Sequence, residues 1–118
     1  MPVVVHDDVP FDQFNAGATY QTVVGDAQGS TPFRLGIQTS SPGYRTPLHS
    51  HPYVEALTIV EGEGEAWMEG VEVFPVKPGM TLVFPAHVRH WFRALGTRPL
   101  KTYGIHASPH RIVIEHEE

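Results

Sequence analysis

A short stretch near the middle of the chain places two histidines and a glutamate at alternating positions. Successive side chains of an extended strand point to opposite faces, so His49, His51 and Glu55 are predicted to share one face. Leu57 and Ile59 continue that face and would form an apolar floor beneath the polar group. The pattern predicts a metal site at the mouth of a packed β-structure.

The composition indicates what surrounds this stretch. A chain of 118 residues fits one compact domain, and 11 glycines with 11 prolines imply many turns. Short β-prone runs recur between the turn signals without helical periodicity, which predicts an all-β sandwich or barrel. The predicted strands are 19–24, 33–39, 54–60, 65–68, 71–76, 80–84, 90–95, 100–107 and 111–114. Before them, residues 3–5 predict a short strand, and residues 7–16 an irregular arm with one helical turn over 11–14.

The charge argues against certain partners, and the absence of cysteine excludes metal sites built on thiolates. A formal net charge of −5 without a basic block argues against nucleic acid. No apolar run approaches membrane-spanning length and the N-terminus lacks a leader pattern, so no membrane partner and a cytoplasmic location are expected. Because there is no cysteine, a metal would be held by nitrogen and oxygen alone.

A further ligand is available in the second half of the chain. His90 opens a predicted strand that follows a turn at Pro85, with Phe92 and Ala94 on its face. An apolar strand that leads through a turn into a histidine is a suitable source of one more imidazole. Spacing alone does not establish that His90 meets the other three residues.

The first motif of the chain resembles that of the cupin superfamily. In that family a glycine is followed after five residues by His-x-His, then a glutamate and a second glycine. Gly43, His49, His51, Glu55 and Gly62 satisfy every one of these positions.

The second cupin motif is matched in part. Gly79, Pro85 and His90 stand at its expected positions. His87 stands where the family has a glycine, and Ala94 where it has an asparagine. These two departures concern turn geometry and a structural hydrogen bond; we expect His87 to tighten the turn in another way, with orientation toward the pocket mouth as the alternative.

The resemblance implies a double-stranded antiparallel β-barrel of the jelly-roll-like cupin type with a short irregular N-terminal arm. Residues 1–18 would form the arm and a strand, and residues 19–118 a single cupin domain. It also implies a homodimer and one divalent transition metal per chain on His49, His51, Glu55 and His90. Three imidazoles and a carboxylate suit Fe, Mn, Ni, Co or Zn and discriminate little among them.

Two residues near this group are candidates for catalytic roles. Tyr53 shares the predicted ligand face, with plain core packing as the alternative. His106 lies on a later strand, where a structural hydrogen bond is the alternative. Further pocket candidates are Arg34, Gln38, Arg45, Trp67, Phe92 and Tyr103. Because apolar side chains more often face inward, we expect the set 33, 35 and 37 to face the interior and Arg34 to face solvent.

Fold does not determine reaction in this superfamily. The leading hypothesis is a metal-dependent, dioxygenase-type oxidoreductase acting on a small organic substrate, since Lewis acidity and open coordination positions serve such a reaction. The alternatives are an isomerase or lyase on a sugar acid or other carboxylate, and a non-catalytic small-molecule binder.

Overall fold

The computed structural model describes residues 3–14, 16–26 and 31–118, and in these ranges the regular secondary structure is β-strand apart from one short 3-10 turn. The strands are β1 (Asp12–Phe14), β2 (Ala18–Val24), β3 (Arg34–Ser40), β4 (His49–Ser50), β5 (Glu55–Glu61), β6 (Glu63–Met68), β7 (Phe74–Val76), β8 (Thr81–Phe84), β9 (His90–Leu95), β10 (Leu100–His106) and β11 (Ile114–Glu115). Within the same ranges no helix is long and apolar enough to cross a membrane.

The strands form two antiparallel sheets. One has the order β1-β2-β3-β10-β5-β8, and the other the order β11-β4-β9-β6-β7. Several strands that are adjacent in the sheets are distant in sequence, as in the pairing of β3 with β10 and of β4 with β9. This arrangement confirms the predicted all-β, jelly-roll-like double-stranded antiparallel barrel.

The apolar core lies between the two sheets and follows strand parity. In β5 the side chains of residues 55, 57 and 59 are buried, and in β9 those of residues 90, 92 and 94. The core cluster takes buried side chains from both sheets: Leu57, Ile59, Ala66, Val76, Leu82, Phe84, Phe92, Ala94 and Leu100. The prediction that Leu57 and Ile59 form the floor beneath the histidines is therefore confirmed, since both are buried below Glu55 on the same face of β5.

The N-terminal arm differs from its prediction. Residues 3–5 form no strand, and a short 3-10 turn covers His6–Asp8 instead. The predicted helical turn over 11–14 is wrong as well, because Asp12–Phe14 is a strand that pairs antiparallel with β2. The phenyl ring of Phe14 lies 5.7 Å from the ring of Tyr20, so cross-strand packing overrides the local preference. The division of the chain at residue 18 stays a prediction, and residues 1, 2 and 15 lie outside the described part.

Two later strands are shorter than predicted. Of 71–76 only Phe74–Val76 is extended, because Gly70 turns the chain with a positive φ of 89° and Val71 donates to the Met68 carbonyl. Of 111–114 only the last residue is in a strand. The backbone of Ile112 is instead bonded to the side chains of His51 and Tyr53, so its polar groups are satisfied outside any ladder.

His87 stands at the position of the motif glycine and adopts a left-handed backbone conformation, which glycine adopts most readily. Its φ is 68°, in the left-handed region that residues other than glycine adopt uncommonly. Its N–H donates to the His51 carbonyl at 2.7 Å, and its side chain is exposed. This backbone conformation confirms that His87 tightens the turn. The hydrogen bond to His51 connects the turn before β9 to the first motif.

Candidate metal centre

Strand register and the connection between β4 and β5 bring the predicted ligands close together in two overlapping groups, His49, His51 and His90, and His51, Glu55 and His106. His49 in β4 lies directly opposite His90 in β9, and Glu55 in β5 lies directly opposite His106 in β10. The turn of Pro52 and Tyr53 joins β4 to β5 and leads from one sheet to the other. All four ligand candidates and His106 are buried, with at most 8% of any of these residues exposed.

Three of the histidines are held in one orientation by backbone carbonyls. Nδ1 lies 2.7 Å from the Pro47 oxygen in His49, 2.7 Å from the Ile112 oxygen in His51, and 3.0 Å from the Val88 oxygen in His90. A carbonyl only accepts, so each Nδ1 carries the proton and each Nε2 is left with a lone pair. The three nitrogens offered as ligand atoms lie within 4.8 Å of one another. This is how proteins orient metal-binding histidines.

The Glu55 carboxylate lies between this triad and His106. Its Oε1 is 3.1 Å from Nε2 of His51 and 3.5 Å from Nε2 of His90. Its Oε2 is 3.3 Å from Nε2 of His106. Burial raises the pKa of Glu55, but the opposing effects, of which the hydrogen bond with His106 is the largest, outweigh burial and hold this pKa well below its usual range. The site therefore contains a buried, ionised carboxylate.

The residues present fit a divalent metal. Nε2 of His90 is buried and has no hydrogen-bond partner in the described structure, although an orphaned buried nitrogen is costly. Burial, followed by the nearby His90 ring, lowers the pKa of His49 to about 3, so this imidazole is neutral as a ligand must be. Beneath the site Phe84 stacks on His90 with ring centroids 3.8 Å apart, which fixes that imidazole further.

His106 differs from the other three histidines. Its Nδ1 lies 2.5 Å from the hydroxyl of Tyr53, a group that both donates and accepts. The Tyr53 hydroxyl also accepts from the Ile112 N–H at 3.1 Å and lies 3.4 Å from the Ile112 carbonyl. The position of the proton on His106 is therefore not fixed by its partner.

A cavity of about 360 Å³ opens onto these groups. His49, His51, Glu55 and His106 line it together with apolar side chains that include Phe14 and Phe92. Its volume falls in the range of pockets for small organic molecules. Gly104 leaves room beside Glu55, since a Cβ at that position would lie 3.1 Å from Oε2.

The predicted pocket residues divide into two groups. Gln38, Phe92 and His106 line the cavity, whereas Arg34, Arg45, Tyr53, Trp67 and Tyr103 do not. Tyr53 is buried behind the wall, with its ring stacked on His51 at 5.1 Å between centroids.

The expected orientation of β3 is wrong. The even-numbered Gly36 and Gln38 face the cavity, while Ile37 is buried on the other face. The N-terminal arm covers that outer face, where Gln21, opposite Ile37, donates to the carbonyls of His6 and Val9. Both faces of this part of the sheet are therefore covered. For this reason the alternation of apolar and polar side chains along β3 does not indicate which face lies toward the cavity.

Several cavity residues were not predicted from the sequence, among them a tyrosine and an arginine. Tyr20 in β2 and Arg111 in the C-terminal segment (residues 111–116) both line the cavity. The only clue in the sequence is their position, Tyr20 on the second strand and Arg111 after the turn at Pro109. Neither spacing nor composition distinguishes these two residues from surface residues.

The family model described as "Cupin domain" matches residues 36–106, which is more than half of the chain. The chain belongs to the cupin family. The matched range begins in β3 and ends at His106, so it contains His49, His51, Glu55 and His90 and leaves out Tyr20 and Arg111.

Several curated proteins are similar to this cupin. Protein SchB of Streptomyces halstedii is 33% identical over 95 residues, which cover 80% of this chain and 68% of that protein. L-ectoine synthase of Vibrio parahaemolyticus is 34% identical over 62 residues, covering 52% of this chain and 48% of that protein. 5-nitrosalicylic acid 1,2-dioxygenase of a Bradyrhizobium species is 39% identical over 71 residues, covering 60% of this chain and 34% of that protein. The cupin thus spans about half or less of the length of the last two.

Solved structures share the fold. The polyketide cyclase RemF of Streptomyces resistomycificus superposes with a TM-score of 0.84 at 20% identity, covering 98% of this chain and 84% of that one. KdgF of a Halomonas species has a TM-score of 0.78 at 23% identity, covering 93% and 96%. At these identities the likeness concerns the fold.

Proposed function

We propose that this cupin is a metal-dependent enzyme that moves a proton on a small organic substrate, as in an isomerase, lyase or cyclase reaction. His49, His51, Glu55 and His90 would hold one divalent transition metal, and His106 would be the acid–base group, positioned by Tyr53. The single observation that carries the proposal is the difference at Nδ1: three histidines face carbonyls, and His106 faces a hydroxyl.

The hydroxyl of Tyr53 permits two states of His106. In one, Nδ1–H donates to Tyr53, whose own O–H turns to the Ile112 carbonyl, and Nε2 is free to accept a proton. In the other, the Tyr53 O–H donates to Nδ1, and Nε2–H donates to Oε2 of Glu55. The Ile112 N–H donates to Tyr53 in both states. In the second state every buried polar group of the pair is bonded, whereas in the first Nε2 faces the carboxylate without a hydrogen and is therefore ready to take up a proton.

Proton transfer follows from these two states. Nε2 of His106 takes a proton from a substrate carbon in the cavity and becomes an imidazolium stabilised by the carboxylate of Glu55. Return of that proton to another substrate atom restores the neutral imidazole, so the step is balanced without an external base. A divalent metal held by His49, His51, Glu55 and His90 would supply Lewis acidity toward a substrate oxygen.

The proposal is tested by hydrogen–deuterium exchange at carbon, because exchange reports proton transfer even without net turnover. Metal-loaded protein is incubated in D₂O with a panel of 2-oxo acids and aromatic hydroxy acids and followed by proton NMR. We expect exchange in the wild type and a loss of about 10²–10⁴-fold in His106→Asn at unchanged metal content. Tyr53→Phe would keep the metal and shift the pH dependence of exchange, which a merely structural role would not do. Tight binding without exchange or turnover, under every metal, would contradict the proposal and favour a non-catalytic binder.

A dioxygenase reaction is the second candidate, favoured by the similarity to 5-nitrosalicylic acid 1,2-dioxygenase and by a ligand set that suits Fe(II). The Fe(II)-loaded protein is compared in an oxygen electrode with the same panel, aerobically and anaerobically. Oxygen consumption that matches product formation would favour the dioxygenase, and turnover indifferent to oxygen would favour proton transfer.

We also propose that the protein is a homodimer. Apolar side chains near both ends of the chain are exposed, including Val3 at 66% and Ile114 at 42%. β11, which contains Ile114, is an edge strand whose free side a second copy would cover. Light scattering during size-exclusion chromatography would reveal a monomer directly. The cytoplasmic location stays a prediction.

A further inference from the structure

Arg111 brings a positive charge to the cavity wall without an acidic partner. Its guanidinium carbon lies 4.2 Å from the ring centroid of Phe14 and 5.3 Å from that of Tyr20. No carboxylate of the described residues forms an ion pair with it. Burial lowers the pKa of Arg111, and a guanidinium nevertheless stays charged at neutral pH. Aromatic rings on the faces of a guanidinium leave its N–H edge available for an anion.

Tyr20 adds an unpartnered donor beside this charge. The residue is 7% exposed and lines the cavity, and its hydroxyl has no hydrogen-bond partner in the described structure. The Arg34 guanidinium lies near the ring and donates to the Thr22 hydroxyl, and its positive charge opposes the effect of burial on the pKa of Tyr20. Burial raises the pKa of Tyr20, which keeps the hydroxyl a donor. A Cβ at Gly36 would overlap the hydroxyl, so the glycine provides the space that this group occupies.

The charges around the cavity favour an anionic ligand. A divalent metal on neutral imidazoles and the single carboxylate of Glu55 would carry a net positive charge, to which Arg111 adds another. Glu115 also lines the cavity, but its residue is exposed and its charge is screened by solvent. The remaining wall includes Phe14, Phe92 and Val113, which suit an apolar body.

We propose that Arg111 and Tyr20 form an anion-binding subsite that takes the carboxylate of a small substrate with an apolar body. The inference deepens the proposed function, on which it rests, by naming the chemical class of the substrate: a carboxylic acid whose charged end lies on Arg111. The N–H edge of Arg111 and the hydroxyl of Tyr20 both donate to the carboxylate oxygens.

The test is direct binding of benzoate, with benzamide as the neutral molecule of the same shape. Titration calorimetry is run on metal-free protein, where benzoate has no metal to bind, and again on zinc-loaded protein. We expect benzoate to bind more tightly than benzamide in both forms. Arg111→Gln should weaken benzoate about tenfold to a hundredfold and leave benzamide unchanged, as expected for loss of a charge-assisted hydrogen bond. Tyr20→Phe should weaken benzoate by a smaller factor.

Matched variants separate this subsite from other effects. Arg98→Gln removes an exposed arginine outside this cavity and should leave benzoate binding unchanged. Arg111→Lys keeps the positive charge but lacks the planar guanidinium with its paired N–H donors. Its thermal unfolding is compared with that of the wild type to check that the protein is still folded. Equal binding of benzoate and benzamide, or benzoate binding indifferent to Arg111→Gln, would overturn the subsite. Benzoate binding that depends on Arg111 in a protein that takes up no metal would support the subsite and contradict the proposed function instead.

Discussion

Nδ1 of His51 lies 2.7 Å from the carbonyl oxygen of Ile112, a residue 61 positions further along the chain. The bond joins the first motif to the C-terminal segment and determines which nitrogen of His51 faces the cavity. The same residue donates its N–H to Tyr53, which in turn contacts His106. One residue of an irregular segment therefore supports both a candidate ligand and the candidate acid–base pair.

Removal of the C-terminal segment is predicted to weaken metal binding without removing any ligand. A chain that ends at His110 lacks Ile112, so His51 loses the acceptor that orients its ring. Loss of such an orienting partner typically lowers metal affinity about 10- to 100-fold. Competition with a chromogenic chelator measures the affinity, and circular dichroism checks that the barrel remains folded. A chain that ends at Glu115 keeps Ile112 and is the control; equal affinities of the two chains would contradict the role of this bond.

The metal itself is predicted at about one divalent ion per chain. Protein purified without a nickel column is analysed by mass spectrometry of its metal content. His51→Ala and His90→Ala should each lose most of the metal, because both imidazoles face the site and are buried. His110→Ala is the matched control, since His110 is exposed. Unchanged metal content together with full stability in His51→Ala would count against the site.

The metal-free protein is predicted to lose stability as pH falls below about 6.5. His49 has a folded pKa of about 3 because of burial first and the His90 ring second. Between these values the unfolded chain binds a proton that the folded protein does not, so the free energy of unfolding rises with pH by up to about 1.4 kcal/mol per pH unit. Glu55 is ionised in both states above about pH 5, since its pKa is held well below its usual range.

Urea unfolding of the metal-free protein between about pH 5 and 7 measures this slope. His49→Asn removes the titrating group and should reduce the slope by about one proton. A slope identical in the two proteins would show that His49 is not the group responsible.

The packing beneath the site predicts a large loss of stability in Phe84→Ala. The side chain is 1% exposed and its ring stacks on His90, so the change leaves a cavity in the core. We expect the free energy of unfolding to fall by about 3–5 kcal/mol, with weaker metal binding because His90 loses its support. Val83→Ala, on the adjacent residue of the same strand, is the control; it is 55% exposed and should cost less than about 1 kcal/mol. Similar losses in the two variants would contradict the assigned faces of β8.

The amino-acid sequence by itself determined the fold class, the burial of Leu57 and Ile59 beneath Glu55, and the start of β9 at His90. These predictions follow from strand alternation and turn residues, which are local properties of the chain. Where local preference competes with long-range pairing the sequence was a poorer guide. Residues 12–14 form a strand because Phe14 packs on Tyr20, and Ile37 is buried on the outer face because the arm covers it.

Only the tertiary structure decided which groups surround the histidines. Register places Glu55 opposite His106, and the fold of the C-terminal segment brings Ile112 to His51 and Arg111 to the cavity. Such contacts join residues that are distant in sequence. They leave no periodic pattern in the sequence, because each depends on how the two sheets pack and on where the C-terminal segment lies beside the cavity. The alternating residues of the first motif predicted a metal site. The groups that orient its histidines, and the guanidinium of Arg111 that would select an anionic substrate, are brought there only by the complete fold.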